Sequence, residues 1–138
     1  MIIKAGVAGS VALATFPLGC GNHASVPNGP IAAGNTAGVA MDSLVLVAGE
    51  NVFLGRDGGG LYAMSAVCTH AQCIVSEPAT ATDNAICLCH GSIFDRNGGV
   101  VRGPAGAPLQ HYQVDVAADG SITIQGGISV DSGTRTAI

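Results

Sequence analysis

Tryptophan is absent from the 138 residues, aromatic side chains make up 4% and charged ones 10%, and five Lys plus Arg stand against nine Asp plus Glu. So few basic side chains leave no surface that could hold a polyanion by counterion release, which excludes nucleic acid as a partner. A charged share far below the roughly 25% usual in soluble domains, beside a hydrophobic share of 48%, excludes a charge-rich disordered chain. Helical periodicity is missing as well, since no window after Thr36 sustains apolar spacing at 3.6 residues. The longest apolar run, Ala5 to Leu18, is interrupted by Gly6, Gly9 and Pro17; it falls short of the ~20 residues that span a bilayer. No Ser/His/Asp set or carboxylate pair stands out, and Gly58-Gly59-Gly60 reads as a turn, not a phosphate loop.

What is present is glycine (21 residues), short apolar runs and five cysteines. Residues 1–20 read as an export segment: Lys4, the apolar run, then Gly19-Cys20-Gly21-Asn22. The small residues before Cys20 resemble the site where bacterial lipoproteins are cut and acylated, making Cys20 a candidate for lipidation. Residues 21–37, with Pro27, Asn28, Gly29, Pro30 and Gly34, have linker composition. The folded domain is expected over 38–126, and 127–138 is expected to be a polar tail.

Within 38–126, Leu44 to Val47, Asn51 to Leu54, Leu61 to Val67, Val100-Val101, Gln113 to Val116 and Ser121 to Ile124 are short β-type runs. Turn residues such as Asp57-Gly58-Gly59, Asp95 to Gly99 and Ala118-Asp119-Gly120 separate them. That pattern predicts an all-β fold, an antiparallel sandwich or small barrel.

Four cysteines fall between Cys68 and Cys89 in two boxes, Cys68-Thr69-His70-Ala71-Gln72-Cys73 and Cys87-Leu88-Cys89-His90-Gly91-Ser92. Cys68 with His70, and Cys87 with His90, offer one thiolate and one imidazole from each half. Two Cys and two His can close a tetrahedral zinc site; they can equally hold a [2Fe–2S] cluster with the imidazoles on one iron.

The two boxes resemble, nearly residue by residue, those of the Rieske iron–sulfur proteins, and in particular the high-potential branch of cytochrome bc-type complexes. The resemblance covers roughly Val39 to Ile124. It implies an antiparallel β-sandwich with a small cluster-binding subdomain, here about 68–108, and a [2Fe–2S] cofactor. By the same resemblance Cys68 and Cys87 ligate the inner iron, His70 and His90 the outer iron, and Cys73 and Cys89 form a disulfide between the loops. Such a disulfide requires an oxidising compartment, in agreement with export to the periplasmic side of a bacterial membrane. Ser92 is implied to tune the potential by donating its hydroxyl to a bridging sulfide. Phe94 stands where the highest-potential members carry Tyr, so one phenolic hydrogen bond is missing; the potential is expected below theirs, within the family's ~−150 to +300 mV. Gly103 and Pro104 open a segment that resembles the loop covering the cluster, lengthened by a Gly-Ala, and Gln72 replaces a family glycine. His111 is expected on a strand surface, and His23 in the solvated linker.

The function implied is one-electron transfer from quinol or another donor to a cytochrome, with a membrane anchor at the N-terminus. Two alternatives stay open on sequence alone: the small Rieske subunit of a molybdenum enzyme of the arsenite oxidase type, and a zinc-stapled structural module. A Rieske oxygenase within this single chain is not expected, because only His111 follows His90, where a mononuclear iron site of two His and a carboxylate needs two.

Overall fold

The computed structural model describes residues 23–138. Nine strands follow in order: β1 Pro30–Asn35, β2 Leu44–Leu46, β3 Val52–Asp57, β4 Gly60–Ser65, β5 Ala85–Ile86, β6 Ile93–Phe94, β7 Val100–Arg102, β8 His111–Val116 and β9 Ser121–Val130. A single 3-10 turn at Thr36–Gly38 is capped by the Asn35 side chain, which accepts from the Ala37 N–H. The fold is all-β and antiparallel, as expected. Among the described residues, no helix is long and apolar enough to cross a membrane.

Six strands form one sheet in the order β1-β9-β8-β4-β3-β2; the short β5-β6-β7 form a second. Alternation along β3 and β4 divides the core into two. Val52, Leu54, Leu61 and Ala63 face Ile31, Val39, Tyr112, Val114, Ile122 and Ile124. Phe53, Tyr62 and Met64 face the other way, packing with Val75, Ala85, Cys87, Phe94 and Leu109 from the smaller sheet and its loops. Each fully buried Leu, Phe or Met of this set contributes roughly 1.5–3 kcal/mol. The second cluster is the floor on which the two cysteine boxes rest, since Cys68 and Cys87 are part of it.

The sheet runs past both boundaries expected from sequence. Residues 30–35, expected to be linker, form β1, which pairs with β9 through Pro30–Gln125, Ile31–Ile124 and Ala32–Thr123. Pro30 is tolerated because it opens an edge strand, and the run of small residues buries little beyond Ile31, so its periodicity was faint. At the other end β9 continues to Val130, and the expected tail returns: Leu61 and Thr136 exchange backbone hydrogen bonds of 2.8 and 2.9 Å. Gly60, at φ 126°, makes this possible, because a Cβ there would collide with the Thr136 carbonyl. Arg135 holds the return with a 2.7 Å ion pair to Asp57 and lies 4.1 Å over the Tyr62 ring. Burial works against ionisation of the Asp57 carboxyl, but the one hydrogen bond and the charge of that guanidinium, with the backbone N–H groups of Gly59 and Gly60, hold it below its usual range. The export segment 1–20 and Cys20 lie outside the described residues.

The smaller sheet is tied to the larger one at the Asp95–Gly99 turn. Tyr62 Oη donates to the Arg96 carbonyl at 2.8 Å, Arg135 donates to Asn97 Oδ1 at 2.9 Å, and His111 Nε2 bonds the Asn97 carbonyl at 2.8 Å. Arg96 in turn donates to the carbonyls of Asp42 at 2.6 Å and Thr80 at 3.2 Å.

Candidate metal centre

The two boxes form loops of the same design: loop 1, Cys68 to Cys73, follows β4, and loop 2, Cys87 to Ser92, joins β5 to β6. In loop 1 the Cys68 N–H donates to the Cys73 carbonyl at 2.7 Å and the Gln72 N–H to the Cys68 carbonyl at 3.0 Å. Loop 2 repeats this spacing, Cys87 N–H to Ser92 carbonyl at 2.8 Å and Gly91 N–H to Cys87 carbonyl at 2.9 Å. Each loop needs a left-handed residue at its fifth position: Gly91 has φ 76° and Gln72 φ 58°. Glycine adopts this region freely, whereas a side chain there costs roughly 1–2 kcal/mol.

The loops sort their donors by depth. Cys68 and Cys87 are each 1% exposed and carry no disulfide, while His70 and His90 are exposed. The imidazole centroids are 4.8 Å apart, edge to face. Cys73 and Cys89 form a disulfide joining the end of loop 1 to the middle of loop 2. The Cys87 sulfur lies within 4.8 Å of both bridged sulfurs. Those two are consumed by their bond, so the donors left are two thiols beneath and two imidazoles above. Burial pushes the Cys87 thiol up, and the adjacent Cys68 sulfur adds to this against the backbone N–H groups of Cys89 and His90. A cationic centre would reverse that balance, because a coordinated thiol is deprotonated outright. Two sulfur and two nitrogen donors, separated in this way, fit the ligand demand of a histidine-ligated [2Fe–2S] cluster.

A cover closes over the loops from the residues after β7. Ala105 N–H donates to Ser92 Oγ at 2.9 Å, and Thr69 Oγ1 donates to the Ala107 carbonyl at 2.6 Å, so each loop is bonded to the cover. Because the Ser92 oxygen accepts this bond, its own proton remains to be donated from a fully buried site. Gly103 and Pro104, joined by a cis peptide, are exposed at the start of the cover. Phe94 is fully buried beneath the loops and offers no hydroxyl. Leu88, between Cys87 and Cys89, is 78% exposed, and Ile74 and Ile86 are exposed as well. Leu88, Ile86 and Ile93 also line a groove of about 340 Å³.

The structure thus brings Cys68, His70, Cys73, Cys87, Cys89, His90 and Ser92 together, with Phe94 below and the Gly103-Pro104 segment at the side. It corrects the placement of His111, which is 2% exposed, not on the surface. Its Nε2–H donates to a carbonyl, so Nδ1 is left a buried acceptor with no partner. Burial lowers the pKa of this ring against the bond to the Asn97 carbonyl, with the Arg135 charge acting in the same direction as burial. His23 is exposed, as expected. Sequence reasoning missed Thr69 and Ala105 as ties to the cover, because a hydrogen bond to a main-chain atom leaves no residue pattern. It also missed the Ala24 N–H, which donates to the Gln72 carbonyl at 3.0 Å; the side chain at the family's glycine position was its one trace.

The comparisons agree with this geometry. The sequence model of the Rieske [2Fe–2S] domain matches residues 31–113. An iron–sulfur subunit of the cytochrome b6-f complex from the cyanelle of Cyanophora paradoxa is 44% identical over 77 residues, which is 55% of this chain and 31% of that one. The corresponding subunit of Chlorobaculum tepidum is 37% identical over 75 residues, 54% of this chain and 40% of its own. The chain therefore spans only 31% to 40% of the length of these relatives. Among solved structures, the plasma membrane Rieske protein PetC3 of Synechocystis PCC 6803 superposes with a TM-score of 0.52 at 25% identity, covering 68% of this chain and 97% of that one. A hyperthermophilic respiratory Complex III chain, at 21% identity and a TM-score of 0.52, covers 64% of this chain and 69% of its own and shares the fold.

Proposed function

This chain belongs to the Rieske [2Fe–2S] domain family, and on that premise we propose that it carries single electrons as the redox head of a cytochrome bc-type, quinol-oxidising complex. Cys68 and Cys87 hold the inner iron of the cluster and His70 and His90 the outer one. The observation that carries this reading is the sorting by depth: two free thiols buried beneath two exposed imidazoles 4.8 Å apart. When bound, the cluster supplies a one-electron couple whose potential is raised because neutral imidazoles replace two anionic thiolates.

The chain's own residues do the rest. The buried thiols and the Cys73–Cys89 disulfide keep water from the inner side. Ser92 donates its free proton toward the cluster, which favours the reduced state, and Phe94 withholds the second bond a tyrosine would give. His70 and His90 present their outer ring nitrogens to a partner, so that a donor such as quinol can release a proton where it releases an electron. The acceptor is a cytochrome, and the head works on the periplasmic side of a membrane, held by the residues before 23 with Cys20 as lipid site. Exposed Leu88 belongs to the docking face. Leu88→Asp is expected to slow electron transfer with the native partner about ten-fold through burial of a charge at the contact, leaving the cluster spectrum unchanged. An unchanged rate would remove Leu88 from that face.

A redox titration of the purified protein, followed by visible absorption and low-temperature EPR from neutral to alkaline pH, tests the reading. A rhombic reduced-state signal, with a potential that falls as pH rises, is expected. A colourless protein with stoichiometric zinc and no EPR signal would overturn it.

A further inference from the structure

Loop 1 reaches the left-handed conformation at Gln72 where loop 2 has Gly91, and the structure places an extra hydrogen bond at that one position. The Ala24 N–H donates to the Gln72 carbonyl at 3.0 Å. The segment that carries it is tied down at successive points. Asn51 Nδ2 donates to the Ser25 carbonyl at 2.9 Å, and Pro27 is buried. Pro27 and Asn28 lie so close to Gly126 that a Cβ there would come within 2.9 Å of them. From Pro30 the chain is part of the large sheet. Residues 24–28 are thus a strap, anchored in the sheet and ending on the cluster loop. Among the described residues, no comparable donor reaches the Gly91 carbonyl.

We infer that Ala24 is a positioning residue: its N–H holds Gln72 in the left-handed region and thereby fixes the half-loop carrying His70, two residues earlier. The strap replaces by an outside tie the conformational ease that glycine gives loop 2. This inference rests on the proposed ligation by His70. It predicts that a change at residue 24, which bears no ligand, alters the electronic signature of the cluster.

The test uses the full chain loaded with its cluster. Ala24→Pro removes the donor, and Ala24→Gly keeps it. The readouts are the reduced-state EPR line shape, the midpoint potential and the rate at which the visible spectrum bleaches on mild heating. Ala24→Pro is expected to shift the line shape and the potential and to bleach about five-fold faster, the factor that a typical net hydrogen bond commands. Ala24→Gly should match the parent in line shape and potential. Adding Gln72→Gly to Ala24→Pro should restore the parent's line shape and most of its bleaching rate, because glycine holds the conformation unaided. A proline variant identical to the parent in all three readouts overturns the inference, as does a double variant no better than Ala24→Pro. If Ala24→Pro does not fold, Asn51→Ala loosens the strap at Ser25, and an unchanged EPR spectrum there overturns the inference as well. A parent protein without the rhombic signal would instead bring down the ligand assignment, and this inference with it.

Discussion

The two cluster loops have nearly the same backbone and reach it by different means. Loop 2 is self-sufficient: Gly91 takes φ 76° without strain, and the two backbone bonds of Cys87 close the turn. Loop 1 closes with the same two bonds at Cys68 but bends at a glutamine and receives a third bond from a segment more than forty residues away in sequence. A loop whose own residues favour its shape can form locally. One whose residues resist it depends on the rest of the fold. The disulfide then links the dependent loop to the independent one, end to middle.

The largest expected effect treats the loops as equals. His70→Ala and His90→Ala should each abolish the native visible and EPR spectra, because under the proposed ligation each removes one of two nitrogen donors to the same iron; a spectroscopically intact cluster in either variant would break the symmetry of the ligand set. Next comes the link between them. Replacing both Cys73 and Cys89 by Ser should lower stability by about 3 kcal/mol in the chain-entropy picture of a loop this size, measured by denaturant unfolding. The difference between the loops is sharpest in a matched pair of changes. Gly91→Ala should cost about 1–2 kcal/mol, whereas Gln72→Gly should be neutral or stabilise by up to about 1 kcal/mol, since relief of the left-handed strain exceeds the added freedom of the unfolded chain. Equal signs in thermal unfolding would show that the loops do not differ as described.

The smallest effect lies away from both loops and serves as their control. His111 has its pKa lowered in the folded state by burial, so the unfolded chain binds the proton more readily. Stability is therefore complete above the ordinary histidine pKa of about 6.5 and declines as pH falls below it. His111→Phe should flatten that acid limb in unfolding experiments and leave the cluster spectrum unaltered.

Both cysteine boxes were legible because metal ligation demands particular residue types at short spacings. The strands of the large sheet from Leu44 onward, and β7, were legible because their apolar runs end at Gly and Asp turns, whereas β5 and β6, two residues each on either side of the second box, were not. Pro30 to Asn35 was not, since a strand of small residues with one buried isoleucine has almost no period to detect. Nor was the return of the chain at Arg135 and Thr136, which depends on Gly60 having no side chain and on partners more than seventy residues distant. His111 was expected on a strand surface because the four ligand positions were already filled without it; the Asn97 carbonyl, provided by a turn of the other sheet, accepts from its ring and offsets the cost of its burial. The departure at Gln72 was visible as a departure, but its compensation, a main-chain N–H, carries no residue signature.

The turn at Asp95–Gly99 has a consequence for how the molecule opens. Tyr62 and His111 grip it from the large sheet and Arg135 from the returning C-terminal segment, while Arg96 reaches back to the Asp42 carbonyl, so β6 and β7 cannot separate from β4 and β8 without breaking these bonds. The two sheets are therefore expected to open as one cooperative unit, with amide hydrogen exchange in Phe94 and in Met64 reporting the same opening free energy. On this expectation the part that carries the two cysteine boxes has no private route to unfolding, and its site is lost when the whole domain melts.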